Sequence, residues 1–528
     1  MTTVTAPEAP HRAAVAAPTP GRIASFLADP RRALCAAVLA LTAVVGLDAL
    51  GDPDVWWHLR FGRWILDNGR IPTTELFSYT AAGHPLVPQE WLAGVIFAVL
   101  NGAGGLALVA VVMGAITWSG FVATALRGRM RGAGPVAIAL GLVLGAKAAQ
   151  PVLGTRPQMF TFALLCWTLW VVDSYLRRGG RRVWILPPVF LLWANLHAGF
   201  IAGIGVLGLI VIAEAVKRRF RAGELVQAER LRTLAVVTGV SAAVACINPS
   251  GPGLYWYALT SAPMERAKGI IEWQSPNFHD PGMWALLALL ASFVALRALG
   301  ARLDWRDATL AAVGAALALY SVRNTSLCVA LVTPAWIAMA GQVGPTLGAR
   351  FGVRAARVRV TRAAVATGAA IVCAGVVAVG YTTTRVAADA SPSGVAAAYP
   401  ACAVDVLSRA PGAQRVFAAY ATGGFVIDRL WPRATVYEYG ESYALGATTF
   451  AGYYRIASGT RAAPTALQLL EASHTSAVMY PAGALTTELD HTPGWTRVVD
   501  DHGTLLYVRG KASWASGSAC AASHAASR

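Results

Sequence analysis

The chain has 528 residues, 56% of them hydrophobic and only 13% charged, and its 44 Lys and Arg against 27 Asp and Glu give a net charge of +17. A soluble domain carries about 25% charged residues, so an ordinary water-soluble enzyme is excluded. The apolar residues form long blocks separated by short Arg-rich stretches. A hydrocarbon core needs about 20 apolar residues per helical crossing, so the pattern is that of an α-helical polytopic membrane protein.

Residues 1–32 are rich in Ala, Pro and Thr, contain Arg12, Arg22, Arg31 and Arg32, and read as a disordered cytoplasmic tail. Ala33–Leu50 reads as a first transmembrane helix rather than the core of a signal peptide, because the segment before it is long and no small-residue cleavage site precedes Asp52. Basic clusters recur at Arg127/Arg129/Arg131, Arg177/Arg178/Arg181/Arg182, Lys217/Arg218/Arg219/Arg221, Arg302/Arg306 and Arg350/Arg354/Arg357/Arg359/Arg362. If each marks a cytoplasmic loop, an even number of crossings joins every pair. The segments Leu106–Leu126, Pro135–Leu153, Met159–Leu176, Trp184–Leu196, Gly199–Val216, Thr233–Ile247, Pro281–Leu299, Ala308–Tyr320, Thr325–Met339 and Ala363–Gly380 satisfy that rule. With the first helix they predict about 11 transmembrane helices over residues 33–380, the amino terminus inside and residues 381–528 outside, in a bacterial cytoplasmic membrane.

This topology gathers polar groups on the outer side. Hairpin turns there carry Lys147, Gln150 and Arg156, then Asn195 and His197, then Asn248, then Arg323 and Asn324. The long first outer loop, 51–105, holds Asp52, Asp54, His58, His84 and Glu90, and the loop 248–280 holds Glu265, Glu272 and His279. A charge at mid-membrane costs roughly 2.5–3.5 kcal/mol, so such groups normally line a protein-walled cavity. A polar site at the outer membrane face is the expectation.

Within the first outer loop, Asp52 is placed to cap a helix that starts at Pro53 and ends at Asn68-Gly69. Trp56, Trp57, Phe61, Trp64 and Ile65 recur at helical spacing, which predicts an interfacial helix with its rings at headgroup depth. Two readings of the carboxylates stay open. Asp52 and Asp54 are a cap and a first-turn residue favoured by the helix dipole, or one of them faces the cavity as a general base.

Asp-Pro-Asp-Val-Trp-Trp-His-Leu-Arg at 52–60, Gln-Glu-Trp-Leu at 89–92, Trp-Ala-Asn-Leu-His-Ala-Gly-Phe at 193–200 and Glu-Trp-Gln-Ser-Pro at 272–276 resemble a group of bacterial membrane proteins labelled glycosyltransferases. More broadly, an acidic residue just after the first helix, a long first outer loop, many crossings and an outer carboxyl-terminal domain resemble the GT-C glycosyltransferase superfamily. The resemblance implies a transferase that moves a sugar from a polyprenyl-phosphate-linked donor to an envelope glycan, lipid or protein acceptor. It also implies an acidic residue of the first outer loop as activator of the acceptor, and Asp52 and Asp54 are the matching positions. A proline between them departs from the superfamily pattern.

The remaining polar groups are weighed on that basis. Arg323 with Asn324, and behind them Lys147 and Arg156, are snorkelling or ion-pairing residues, or a clamp on the departing lipid phosphate. His197 and Asn195 are turn residues or substrate contacts. Glu90 is the first-turn residue of a surface helix or a second catalytic or metal-binding carboxylate, and the apolar stretch after it, Leu92–Leu100, is not permitted by charge parity to cross. His58 is a further candidate for substrate contact. No His-Glu-x-x-His spacing links His58, His84, His197 and His279; a divalent cation, Mg or Mn, on Asp52 and Asp54 is the favoured metal option over zinc. Phosphate-binding glycine loops, Ser-His-Asp signatures and basic faces interleaved with aromatics are lacking, so nucleic acid is not an expected partner.

From 381 to 510 short alternating segments at Arg415–Phe417, Gly424–Asp428, Ala434–Tyr437, Ser476–Tyr480 and Leu505–Val508, with a helix at Pro464–Ala472, predict a small extracytoplasmic α/β domain. Cys402 and Cys520 are the only cysteines outside the helices and are expected to pair as a disulfide. The cluster Tyr437–Tyr443 is sugar-binding or packs on the membrane part. Residues 511–528 read as a disordered tail. Two other functions compete with a transferase: a transporter or flippase for a lipid-linked or polar substrate, or a non-catalytic envelope-assembly protein.

Overall fold

A computed structural model describes residues 21–350 and 359–515. All eleven expected apolar segments fall on helices. Seven helices among the described residues are long and apolar enough to cross a membrane: Trp91–Met130, Pro135–Val152, Gln158–Arg178, Phe200–Phe220, Pro281–Ala298, Val322–Arg350 and Arg362–Asp389. The other four, Pro30–Leu41, Leu186–Leu196, Ala228–Val244 and Trp305–Tyr320, have 12, 11, 17 and 16 residues. Ordered structure begins earlier than the composition predicts, because Arg22–Leu27 is helical and Asp29 accepts from the Arg31 N–H to cap the helix at Pro30. That first membrane helix is also shorter than Ala33–Leu50; it ends at Leu41, and the chain continues as a single tight turn at Val44–Gly46.

The Leu92–Leu100 stretch forms the start of the long helix Trp91–Met130, but it does not continue the crossing in a straight line. Gly104 and Gly105 leave helical geometry, and Gly105 has φ +68°, a backbone state open to glycine and strained for side-chain-bearing residues. The bend separates residues 91–103 from the rest of the helix.

At the ends of the helices remote from the first long loop, buried and half-buried charges are matched four against four. Asp173 accepts from Arg127 at 3.0 Å and Arg131 at 2.8 Å, Arg131 also reaches Asp307 at 2.6 Å, Arg306 lies 3.4 Å from Glu214, and Lys217 lies 2.8 Å from Asp304. This network joins the helices 91–130, 158–178, 200–220 and 305–320, and it accommodates Asp173 deep among them.

The carboxyl-terminal part builds a mixed sheet from β1 (Gln414–Ala418), β2 (Ala434–Val436), β3 (Ala477–Pro481), β4 (Trp495–Asp501) and β5 (Thr504–Arg509), in the order β2-β1-β3-β5-β4. β1 is parallel to β2 and β3; β5 is antiparallel to β3 and β4. The small α/β domain is as expected, with one exchange. Gly424–Asp428 is not a strand but the middle of the helix Tyr420–Leu430, and the true fifth strand is β4. Phe425, Val426 and Ile427 are all buried, and a fully buried helix shows the same unbroken apolar run as a buried strand. Cys402 is half-buried at the start of the helix Ala401–Leu407, and its expected partner Cys520 lies outside the described residues.

The aromatic helix of the first outer loop, Asp54–Asn68, does not lie on lipid. Trp56, Trp57, Phe61, Trp64 and Ile65 are all under 10% exposed, and they share one hydrophobic core with Phe425, Tyr439, Met479 and Leu506 of the outer domain. Trp56 meets Tyr399 and Phe425 edge-on at 5.2 and 5.0 Å. The aromatic stripe was legible as a buried face, but protein rather than headgroups covers it.

Candidate active site

Asp52 and Asp54 stand at the start of that helix and have different surroundings. Asp52 is 3% exposed; one oxygen accepts from the Asp54 N–H at 2.9 Å and the other from the Arg156 Nε–H. It is therefore both the cap and one half of a buried ion pair. Asp54 is half-buried, and its carboxylate has no hydrogen-bond or ion-pair partner among the described residues. Burial first, and then the charge of Asp52, push its pKa up to about 6 against the opposing pull of Arg156 and His58.

Arg156 is shared. Its Nη1 donates to both oxygens of Glu272 at 2.9 and 3.1 Å, and Arg323 donates to Glu272 Oε2 at 3.1 Å. Burial works against the charge on Arg156, but Asp52 and Glu272 outweigh it and raise its pKa. The Arg323 guanidinium also lies over the Trp273 ring at 5.1 Å. Glu272 belongs to the Glu-Trp-Gln-Ser-Pro segment, and the sequence alone gives it no role. It holds two guanidiniums from different hairpins side by side, and its segment is tied to the Arg323 turn by the Val322 N–H bond to Gln274 O at 3.0 Å.

Behind Asp54 lies a buried triad. His58 Nδ1 contacts the Asp54 carbonyl at 2.8 Å and His58 Nε2 contacts Glu90 Oε2 at 2.6 Å. The carbonyl is only an acceptor, so Nδ1 carries hydrogen. Burial opposes a charge on His58, but the bond and charge of Glu90 prevail and raise its pKa. Glu90 itself is held down at about 2, burial being outweighed by His58 and then His197. His197 has the opposite state: its Nδ1 accepts from the Gly199 N–H at 2.9 Å and from the Thr161 hydroxyl at 2.9 Å, and its Nε2 faces Glu90 Oε1 at 3.4 Å. Burial first, with Arg323 and His58, lowers its pKa to about 4.

The outer domain closes this site from above. Gly440 lies so close to Asp54 that a methyl group on it would sit 1.9 Å from Asp54 Oδ1 and 2.6 Å from Trp57 Nε1. The Tyr439 hydroxyl donates to Glu75 Oε2 at 2.8 Å, fixing the Tyr437–Tyr443 segment on the first outer loop. This packing reading of the cluster holds for Tyr437 and Tyr439. Two of its carboxyls, Glu438 and Glu441, are buried nearby, and burial pushes Glu438 up to about 9. Both Glu438 oxygens are buried without a hydrogen bond among the described residues.

Other predicted residues go elsewhere. Asn195 accepts from Trp91 Nε1 at 2.9 Å and donates to Leu191 O and Ile247 O, both at 2.9 Å, so its amide ties hairpins together. Asn324 donates to Leu317 O at 3.2 Å as a turn residue. Lys147 donates to Gln150 at 2.9 Å on the rim of a separate groove. Asp52, Asp54, Arg156, Arg323, His58, Glu90 and His197 come together.

For a divalent cation, the arrangement does not fit. Asp52 is occupied by Arg156 and its own cap, which leaves Asp54 as a single carboxylate, and no group of three or more His, Cys, Asp or Glu among the described residues is placed to ligate a metal.

No family model and no curated protein sequence matches the chain. Solved structures do. The oligosaccharyltransferase AglB from Archaeoglobus fulgidus, in complex with an inhibitory peptide and a dolichol-phosphate, matches 90% of this chain and 74% of its own at 12% identity and a TM-score of 0.50. The Archaeoglobus fulgidus oligosaccharyltransferase complexed with Zn and sulfate matches 89% and 73% at 13% identity and 0.52. ArnT from Cupriavidus metallidurans in the apo state matches 91% of this chain and 98% of its own at 13% identity and 0.50. These neighbours are membrane glycosyltransferases of the GT-C superfamily, and the chain has the GT-C fold.

Proposed function

We propose that the protein is a membrane glycosyltransferase that moves a sugar from a polyprenyl-phosphate donor to a cell-envelope acceptor at the outer face, with Asp54 as general base. The observation that carries this reading is the contrast between the two aspartates. Asp52 is engaged by Arg156, while Asp54 keeps an unpaired carboxylate raised to about 6 within the field of the Arg156 guanidinium, which Glu272 shares with Arg323. A carboxylate at that value is mostly ionised at neutral pH and still basic enough to accept a proton. In the reaction, the acceptor oxygen attacks the anomeric carbon as its proton passes to Asp54. The bond from that carbon to the phosphate oxygen breaks, and Arg156 and Arg323 receive the growing charge. A single displacement inverts the anomeric configuration.

Amino terminus inside, outer domain outside and residence in a bacterial cytoplasmic membrane belong to the same proposal. Neighbours bind dolichol-phosphate and peptide, which supports a lipid-linked donor here. The test is transfer from a radiolabelled polyprenyl-phosphate sugar in membranes containing the protein. Asp54→Asn should lower the rate by at least about a hundredfold, as loss of a general base does, with the protein still folded. Retained turnover sinks the mechanism.

A further inference from the structure

A groove of about 430 Å³ opens between the end of the first membrane helix, the helix Pro135–Ala149 and the long apolar helix Arg362–Asp389. Leu41, Val45, Leu153 and Ala378 give it apolar walls, and Asp48 and Lys147 are its charges. Lys147 Nζ donates to the Gln150 amide oxygen at 2.9 Å and has no carboxylate at ion-pair distance among the described residues. Asp48 uses one oxygen, Oδ1, to cap the N–H groups of Leu50 and Gly51 at 3.1 and 2.8 Å, and Oδ2 has no hydrogen bond among the described residues. The two opposite charges share one groove without pairing with each other. The segment carrying Leu153 and Arg156 divides the groove from the carboxylate site, and Thr155 Oγ1 donates to the Asp48 carbonyl along that divide.

Ionisable groups are costly at mid-membrane, but near helix ends they reach the headgroup layer, where a lipid headgroup can meet them. A ligand that matches both is a zwitterion: a phosphate for Lys147 and an ammonium for Asp48, with acyl chains along the apolar walls. We propose that this groove is a binding site for a phospholipid with a phosphoethanolamine headgroup. The primary ammonium donates hydrogen bonds to the carboxylate. A choline headgroup has no N–H to offer it, and a glycerol headgroup has no cation. The inference goes beyond the transfer reading and does not depend on it.

The test uses the full chain in nanodiscs with equal amounts of phosphatidylethanolamine, phosphatidylcholine and phosphatidylglycerol, and native mass spectrometry of the retained lipid. Phosphatidylethanolamine is expected about tenfold over the other two, the scale of one charge-assisted hydrogen bond. Asp48→Asn should abolish the preference, and Lys147→Gln should lower retention of all three lipids alike. A phosphatidylethanolamine photoprobe on the unmutated protein should label residues 41–48 and 378–382, which keeps the proposal testable if a variant does not fold. Equal retention of the three lipids overturns it, as do a phosphatidylglycerol preference untouched by Asp48→Asn, labelling elsewhere, and displacement of the probe by polyprenyl phosphate.

Discussion

His58 and His197 face the two oxygens of one carboxylate, Glu90, in opposite states of charge. His58 has acceptors on both nitrogens and is the imidazolium; His197 receives two donors on Nδ1 and is neutral. Nitrogen-15 NMR of labelled histidine should show His58 protonated at pH 7 and His197 neutral down to about 4. Glu90→Gln removes the negative partner of a buried pair, a loss of roughly 3–5 kcal/mol, read as a lower unfolding temperature in detergent. The depressed Glu90 pKa stabilises the fold above its ordinary 4.5, and that contribution fades as pH falls through about 2. The raised His58 pKa stabilises below its ordinary 6.5 and is lost as pH rises through the folded value.

Transfer should rise with pH and level off above an inflection near 6, the value to which Asp54 is raised. Only the ionised base accepts the proton. Because burial and Asp52 disfavour that ionised form, Asp54→Asn should keep or raise the unfolding temperature at pH 7.5 while lowering the rate. Asp52→Asn should lower both, since it leaves the buried Arg156 short of one partner. An equal loss of stability in the two variants contradicts the assignment.

Gly440→Ala tests the closure by the outer domain. The added methyl has no room between Asp54 Oδ1 and Trp57 Nε1, so the segment or the aspartate must move. The expected result is at least about a hundredfold slower transfer, the scale reached by small misplacements at a reacting centre, with a displaced pH inflection. A rate within twofold of the unmutated protein would falsify the contact.

Glu438→Gln should be tolerated. With Glu438 raised to about 9 from 4.5, folding must keep a proton that the unfolded chain releases, so stability from this group declines as pH climbs between those values. The glutamine variant removes that decline. Unfolding temperatures from pH 5 to 9 should fall less steeply in the variant than in the unmutated chain.

Apolar runs made the helices legible, and the placement of Asp52 and Asp54 after the first of them pointed to the end of the molecule where Arg156, His58 and Glu90 gather. What separates the two aspartates was hidden, because Arg156 reaches Asp52 from a hairpin 104 residues away. Glu272 stood in a motif but lacked a visible role until two arginines from separate turns met on it. Asn195 and Asn324 looked like ligands because hairpin tops carry both ligands and turn residues, and only their backbone bonds distinguish them. The aromatic helix at 54–68 was assigned to lipid for a similar reason: a hydrophobic stripe states that something covers it and leaves the partner open.

One backbone contact bears on how the protein is made. Ser78 of the first outer loop bridges Val436 at the end of β2, and the Val436 N–H donates to Phe77 O at 2.9 Å. Synthesis runs from the amino terminus, so Asp54 emerges long before the segment that encloses it. A ribosome must add more than three hundred further residues before Gly440 reaches the aspartate. Until then the first loop exposes its tryptophans without their partner surface, and the nascent chain holds Asp54 without the segment that packs against it.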